Sequence, residues 1–102
     1  MIAKVIPLKR LPKTLDLLDY AIPPELQNRA DIGQLVRIPF RHSELFGLIF
    51  DLDKNKIAPS KHIRSVADIE QETIFYNKNY LLFLRDQALL YGVPLSYMAK
   101  LA

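Results

Sequence analysis

Gln34-Leu35-Val36-Arg37-Ile38-Pro39-Phe40 is the stretch on which the fold turns. Its side chains alternate from Val36 to Phe40, the period of a half-buried β-strand. Arg41-His42-Ser43-Glu44 then make a polar link, and Leu45 to Asp51 read as a second strand containing Gly47. Two strands joined by residues 41–44 predict a hairpin. Pro39 has no N–H to give to a ladder, so its position is expected at an edge, a bulge or a strand end.

Upstream of this ribbon, Ile2–Leu8 is rich in β-branched residues and predicts a first strand. Lys9–Pro12 is a basic bend. Leu15–Ile22 fits a helical turn or a strand equally, and Pro23-Pro24 ends whichever forms. Glu25–Gly33 is a polar connection, closing in a tight turn where Gly33 is free to take positive φ. Downstream, Asp53–Ser60 is a polar loop and His62–Ile69 predicts a fourth strand, its apolar residues offset from strict alternation. The pattern then changes period. Tyr80, Leu81, Phe83, Leu84, Ala88 and Tyr91 recur three and four apart, which predicts an amphipathic helix from about 77 to 91. Asn77 or Asn79 can cap its start and Gly92 stops it. Pro94 opens a second helical stretch over Leu95–Ala102.

Strands first and helices last give an α+β chain: a small OB-like β-barrel of four to six short strands followed by C-terminal helices. Residues 1–75 form the barrel portion. Residues 76–102 form the helical portion, expected to be the truncated start of a connection to further domains, because the chain ends on apolar Met98, Leu101 and Ala102 without a stop signal.

The 102 residues suffice for one modest core, and the mix of half apolar and a quarter charged residues is that of a globular protein. No apolar run approaches the roughly 20 residues of a membrane helix. The N-terminus lacks the pattern of a signal peptide. There is no cysteine, which excludes disulfides and thiolate metal sites and fits a cytoplasmic location. The net charge of +3 is uneven: residues 1–64 carry 11 Lys and Arg against 7 Asp and Glu, whereas residues 65–102 carry 3 against 4. A basic first two-thirds favours polyanions weakly, and an ordinary solvated surface has the same composition.

Catalytic patterns are missing. Gly33, Gly47 and Gly92 are too far apart for a phosphate loop. His42 and His62 have no cysteine or second histidine nearby, and the serines lack nucleophile-elbow glycines. Asp16 and Asp19 share a helix face if that segment is helical, but a capping or solvated pair explains them as well. The chain as it stands reads as a non-enzyme. Binding chemistry is better supplied. Lys9, Arg10 and Lys13 lie close together, and Arg37, Arg41, Lys61 and Arg64 come from the predicted barrel. Converging on one face, these cations would contact phosphates and release counterions. Tyr20, Phe40 and Phe46 are available for base stacking, although Phe40 and Phe46 also suit the core. Asp19 stands apart. A carboxylate repels phosphate in the middle of a strand, yet at a strand end it can accept hydrogen bonds from a base edge or a free hydroxyl and reject a chain that continues. A structural aspartate in a turn is the other reading.

Taken in order, Leu11-Pro12-Lys13, then Asp19-Tyr20-Ala21-Ile22-Pro23-Pro24-Glu25-Leu26, then Gly33 to Phe40, then Phe46-Gly47-Leu48-Ile49-Phe50, then Ile63-Arg64-Ser65-Val66-Ala67-Asp68-Ile69 and the stretch from Leu81 to Leu95 around the predicted helix make a sequence that resembles the N-terminal 3′-end DNA-binding domain of the bacterial primosomal replication-restart helicase PriA, or primosomal protein N′. The likeness spans about residues 2–101. It implies a module that binds the 3′-OH end of a DNA strand at stalled or branched forks. In the family the aspartate of a Phe-Asp-Tyr motif reads the terminal base. The matching position is Asp19, flanked by Leu18 and Tyr20, whose main chains line the pocket. Arg41 stands where a glycine contacts the terminal nucleotide through its backbone, and Arg64 where a basic residue contacts the nucleotide. Lys9, Arg10, Lys13, Arg37 and Lys61 would be supporting cations. Two departures stand out: Leu18 replaces the usual Phe, and Arg41 brings a bulky side chain to a glycine position. The segment Lys13–Leu18 is also longer than its family counterpart.

The resemblance further implies that the parent protein is an ATP-dependent 3′-to-5′ DNA helicase, with ATP and zinc bound only by downstream domains and no cofactor in this module. Implied partners are DNA with a free 3′ end, forked DNA, the downstream helicase domains, other primosome proteins and single-strand-binding protein, with no membrane. Two alternatives remain open on the residues: a non-specific single-stranded nucleic-acid-binding barrel, and a protein-interaction domain that docks through residues 95–102.

Overall fold

The computed structural model describes residues 1–9, 17–55, 63–74 and 76–101. Strands β1 (Ile2–Pro7), β2 (Leu18–Ala21), β3 (Gln34–Phe40), β4 (Ser43–Asp53) and β5 (Asp68–Ile74) precede helices α1 (Lys78–Tyr91) and α2 (Leu95–Leu101). The strands form one antiparallel sheet of five in the order β2-β1-β4-β3-β5. The ambiguous segment before Pro23 resolves as strand, because β2 pairs with β1 from Val5↔Leu18 to Ile2↔Ala21. A 3₁₀ turn at Pro24–Leu26 follows it.

Period-2 alternation sorts the side chains onto two cores, one on each face of the sheet. Ala3, Val5, Val36, Ile38 and Ile49 point to one side, where Tyr20, Ile22, Leu26, Val66 and Ile69 close over them. Ile6, Leu48 and Phe50 point to the other, beneath Leu81, Leu84, Ala88, Leu95 and Ala99 of the helices. Strand β4, buried from Gly47 to Phe50, therefore has no solvent face at its centre. Each fully buried aliphatic side chain of this kind contributes about 1.5–3 kcal/mol. Gly47 lies where β1 and β4 touch: a Cβ there would come within 2.5 Å of Val5 Cγ1 and 3.1 Å of the Ile6 carbonyl oxygen.

The register between β1 and β4 slips from Lys4↔Asp51 to Val5↔Ile49, so Phe50 is an extra residue in β4. Such a bulge disrupts the ladder locally. Here the Phe50 carbonyl accepts from Lys78 Nζ at 2.8 Å, and the same ammonium lies 3.9 Å from the Phe50 ring centroid. The first turn of α1 is thus pinned to the sheet. Asn77 caps this helix by accepting from the Tyr80 N–H at 2.9 Å. Gly92, at φ 67°, ends it, and the Val93 N–H returns to the Ala88 carbonyl. Leu81, Leu84 and Ala88 are its buried face, whereas Tyr80, Phe83 and Tyr91, which share the apolar recurrence, are exposed.

Three expectations need correction. The fourth strand does not run over 62–69. Residues 63–67 are irregular apart from a single bridge, and β5 begins only at Asp68. The hairpin link is two residues, Arg41 and His42, because Ser43 and Glu44 already pair with Phe40 and Pro39. Phe46 is not core: it is 48% exposed. Pro39 does sit where no ladder is broken. Strand β5 pairs with β3 only from Gln34 to Arg37, so among the described residues Pro39 has β4 on one side and no strand on the other. The sheet curls as an OB-like fold does, but it is not closed. Its ends meet through residues 63–67, where the Ala21 N–H bonds the Arg64 carbonyl, the Val66 N–H bonds the Ala21 carbonyl, and the Ala67 N–H bonds the Arg37 carbonyl, each at 2.9 Å.

Candidate nucleic-acid interface

The gap between β2 and the tip of the β3–β4 hairpin is an open cleft of about 270 Å³, lined by Leu18, Asp19, Tyr20, Pro39, Phe40, Arg41, Ile63 and Arg64. Strand β2 supplies the first three residues, the hairpin the next three, and the segment that ties the sheet ends together the last two. The five residues singled out in the sequence as terminus-binding candidates, Leu18, Asp19, Tyr20, Arg41 and Arg64, all line this one cleft although they come from three separated stretches of chain.

Tyr20 forms the floor. Its ring belongs to the core and its hydroxyl donates to the Pro39 carbonyl at 2.6 Å, so one side chain fastens β2 to the hairpin. Burial pushes the Tyr20 pKa above 10.0, partly offset by the Arg64 guanidinium. The phenol is therefore a neutral donor at physiological pH. Asp19, next along β2, points the other way, as period 2 requires. Its side chain is 43% exposed and forms an ion pair with Lys4 at 3.2 Å across the β1–β2 ladder.

Arg41 occupies the first position of the two-residue hairpin turn at φ 55°, the left-handed region. That first position favours glycine in tight hairpins. A residue with a Cβ adopts the conformation at a cost of roughly 1–2 kcal/mol. Two contacts offset this. The Arg41 guanidinium lies 5.1 Å from the Phe40 ring centroid, and the Arg41 carbonyl accepts from Arg64 Nη1 at 3.0 Å. The chain thus keeps a glycine-like backbone at the cleft rim while adding a second guanidinium there. The rim is cationic, the floor aromatic, and one wall carries a lone accessible carboxylate.

Other sequence candidates fall elsewhere. Arg37 is outside the cleft, engaged with Glu44 at 4.0 Å, Asp68 at 3.7 Å and Glu70 at 3.6 Å, so its charge is largely neutralised. Lys9 is exposed just beyond β1 and does not line the cleft. Arg10, Lys13, Lys61 and His62 lie outside the described residues. Sequence reasoning missed Lys4 and Ile63. Lys4 was findable only through the cross-strand register, which required β2 to be recognised as a strand. Among the described residues no group of His, Asp and Glu is arranged to hold a metal ion, and no helix is long and apolar enough to cross a membrane.

The family model for the 3′ DNA-binding domain (3′BD) of PriA matches residues 5–102. The chain belongs to this PriA 3′ DNA-binding domain family. No curated protein matches it. Membership in the family gives the module its role: this is a DNA-binding module of PriA, a helicase family, and the match covers the binding module with no catalytic domain. The departures at Leu18 and Arg41 can then be read structurally. Leu18 packs partly buried against the sheet core, and Arg41 preserves the turn that glycine would make.

Proposed function

We propose that the cleft receives the 3′-terminal nucleotide of a DNA strand bearing a free 3′-hydroxyl, and that the module delivers this recognition to a replication-restart helicase at stalled or branched forks. The observation that carries the reading is the meeting of Asp19, Arg41 and Arg64 around one cleft. The Asp19 carboxylate accepts hydrogen bonds from the terminal base or sugar. It also disfavours a chain that continues through another phosphate, since two anions would then share a wall. Arg64 and Arg41 neutralise the phosphate on the 5′ side of the terminal nucleotide, and Phe40 offers an apolar surface beside it. Lys9, with Arg10, Lys13 and Lys61, adds looser attraction that falls with salt. In this reading ATP and zinc belong to other domains of the parent helicase, which acts in the cytoplasm with other primosome proteins and single-strand-binding protein.

The test is competition by fluorescence anisotropy between oligonucleotides identical except for a 3′-hydroxyl or a 3′-phosphate. The hydroxyl form should bind more tightly, and Asp19→Ala should erase most of the difference. Equal affinity for both ends in the parent chain would sink the proposal; an unchanged preference in the variant would remove Asp19 from it. A second reading, a non-specific single-strand-binding surface, has the exposed Phe46 ring in its favour. It predicts equal affinity for both oligonucleotides and a loss of both on Phe46→Ala.

A further inference from the structure

Lys4 stands at the centre of a row across three strands. Its register partner on β2 is Asp19 and its register partner on β4 is Asp51. Lys4, Asp19, Asp51 and Asp53 line a second, smaller depression of about 110 Å³, so Asp19 is a wall shared by two neighbouring hollows. On the hairpin side of this wall are Arg41 and Arg64. On the β4 side are two further carboxylates, with Lys78 reaching Asp51 at 3.7 Å from its far flank. The ammonium of Lys4 lies 3.2 Å from Asp19 Oδ1, and the other carboxylate oxygen, Oδ2, has no partner among the described residues.

Resting on the reading of the cleft as a 3′-terminus site, we propose that Lys4 is a positioning residue for Asp19: it holds Oδ1, leaves Oδ2 to accept from the terminal nucleotide, and shields Asp19 from the like charge of Asp51. The pairing is geometrically direct because both residues occupy facing positions of one antiparallel pair, where opposite charges attract and like charges repel. Without the ammonium, Asp19 faces the like charge of Asp51 across β1, and it swings away from that charge. Lys4 acts through Asp19 and does not touch the nucleotide. That separates it from Arg41 and Arg64, which act on the phosphate directly.

A double-mutant cycle tests this, using the whole chain and a 3′-hydroxyl oligonucleotide. An exposed pair is worth little, so Lys4→Met should weaken binding by about threefold. In an Asp19→Asn background the same change should weaken binding hardly at all. Lys4→Arg should retain parental affinity, since a guanidinium spans the same pair. Urea midpoints of all variants are measured alongside, so that a loss of folded protein is not mistaken for a loss of positioning. An equal loss on Lys4→Met in both backgrounds would mean that Lys4 attracts DNA on its own account, and would overturn the inference while leaving the 3′-terminus reading intact. No loss in the parent background would also overturn it. Should Asp19→Asn alone leave the preference for a 3′-hydroxyl unchanged, Asp19 drops out of the terminus site and the inference about Lys4 falls with it; equal affinity of the parent chain for 3′-hydroxyl and 3′-phosphate ends would sink the terminus reading itself.

Discussion

The helical face and the cleft end of the same sheet are held together by different means. Under α1 and α2, apolar side chains from Ile6 to Ala99 interdigitate and the sheet is sealed. At the cleft, β2 and the hairpin are joined by single polar contacts: the Tyr20 hydroxyl on Pro39, the Arg64 guanidinium on the Arg41 carbonyl, and the backbone bonds of residues 64–66 with Ala21. Apolar packing tolerates no vacancy but carries no chemistry. Polar straps leave a hollow between them and cost little to rearrange. One sheet can thus be firm on the face that carries its helices and recessed at the end where the cleft lies.

This contrast can be broken most forcefully from the helical side. Leu81 is fully buried, and Leu81→Ala should cost about 2–5 kcal/mol of stability. Urea unfolding measures this, and oligonucleotide affinity of the folded fraction should stay near parental. On the cleft side, Tyr20→Phe deprives the Pro39 carbonyl of its donor and should cost about 1–3 kcal/mol. The same residue sets an alkaline signature. Its pKa is raised in the folded chain, so above pH 10.0 the unfolded state ionises first and stability declines as pH rises; below pH 10.0 the contribution is constant. A pH series of unfolding midpoints should lose that part of the alkaline decline in Tyr20→Phe. The smallest change in stability should come from Arg41→Gly. Relief of a left-handed Arg, roughly 1–2 kcal/mol, is set against a lost ring contact of about 0.5–1 kcal/mol. The net change should be slight. Binding should show the difference instead, with the slope of log affinity against log salt shallower by about 0.7, the value for one phosphate contact on a single strand.

How far the sequence carried the fold follows from which residues face solvent. The hairpin was readable because Val36, Ile38, Leu48 and Ile49 are buried in alternation or in a short apolar run. Its end was not, because Ser43 and Glu44 are exposed strand residues whose composition is that of a turn. Strand β5 was displaced for a related reason. It is an edge strand containing Asp68, Glu70 and Glu72, and charged edges deter further pairing at the expense of apolar periodicity. In α1 the recurrence of Tyr80 and Phe83 marked the helix correctly but not its inner face. The cleft residues were assembled through resemblance to a family, and no spacing along the chain would have brought residue 64 beside residue 41. Lys4 escaped notice because a cross-strand partner exists only once both strands are known.

The meeting of Ala21 with Ser65 is narrow, a lone parallel bridge flanked by the bonds at Arg64 and Val66. Ile63 and Arg64 reach the cleft from that junction, so the far wall of the hollow hangs on a hinge of backbone amides rather than on a full ladder. A bound nucleotide that engages Arg64 on one side and Asp19 on the other would act as a clasp across the hinge, making the DNA end itself the last staple of the curled sheet.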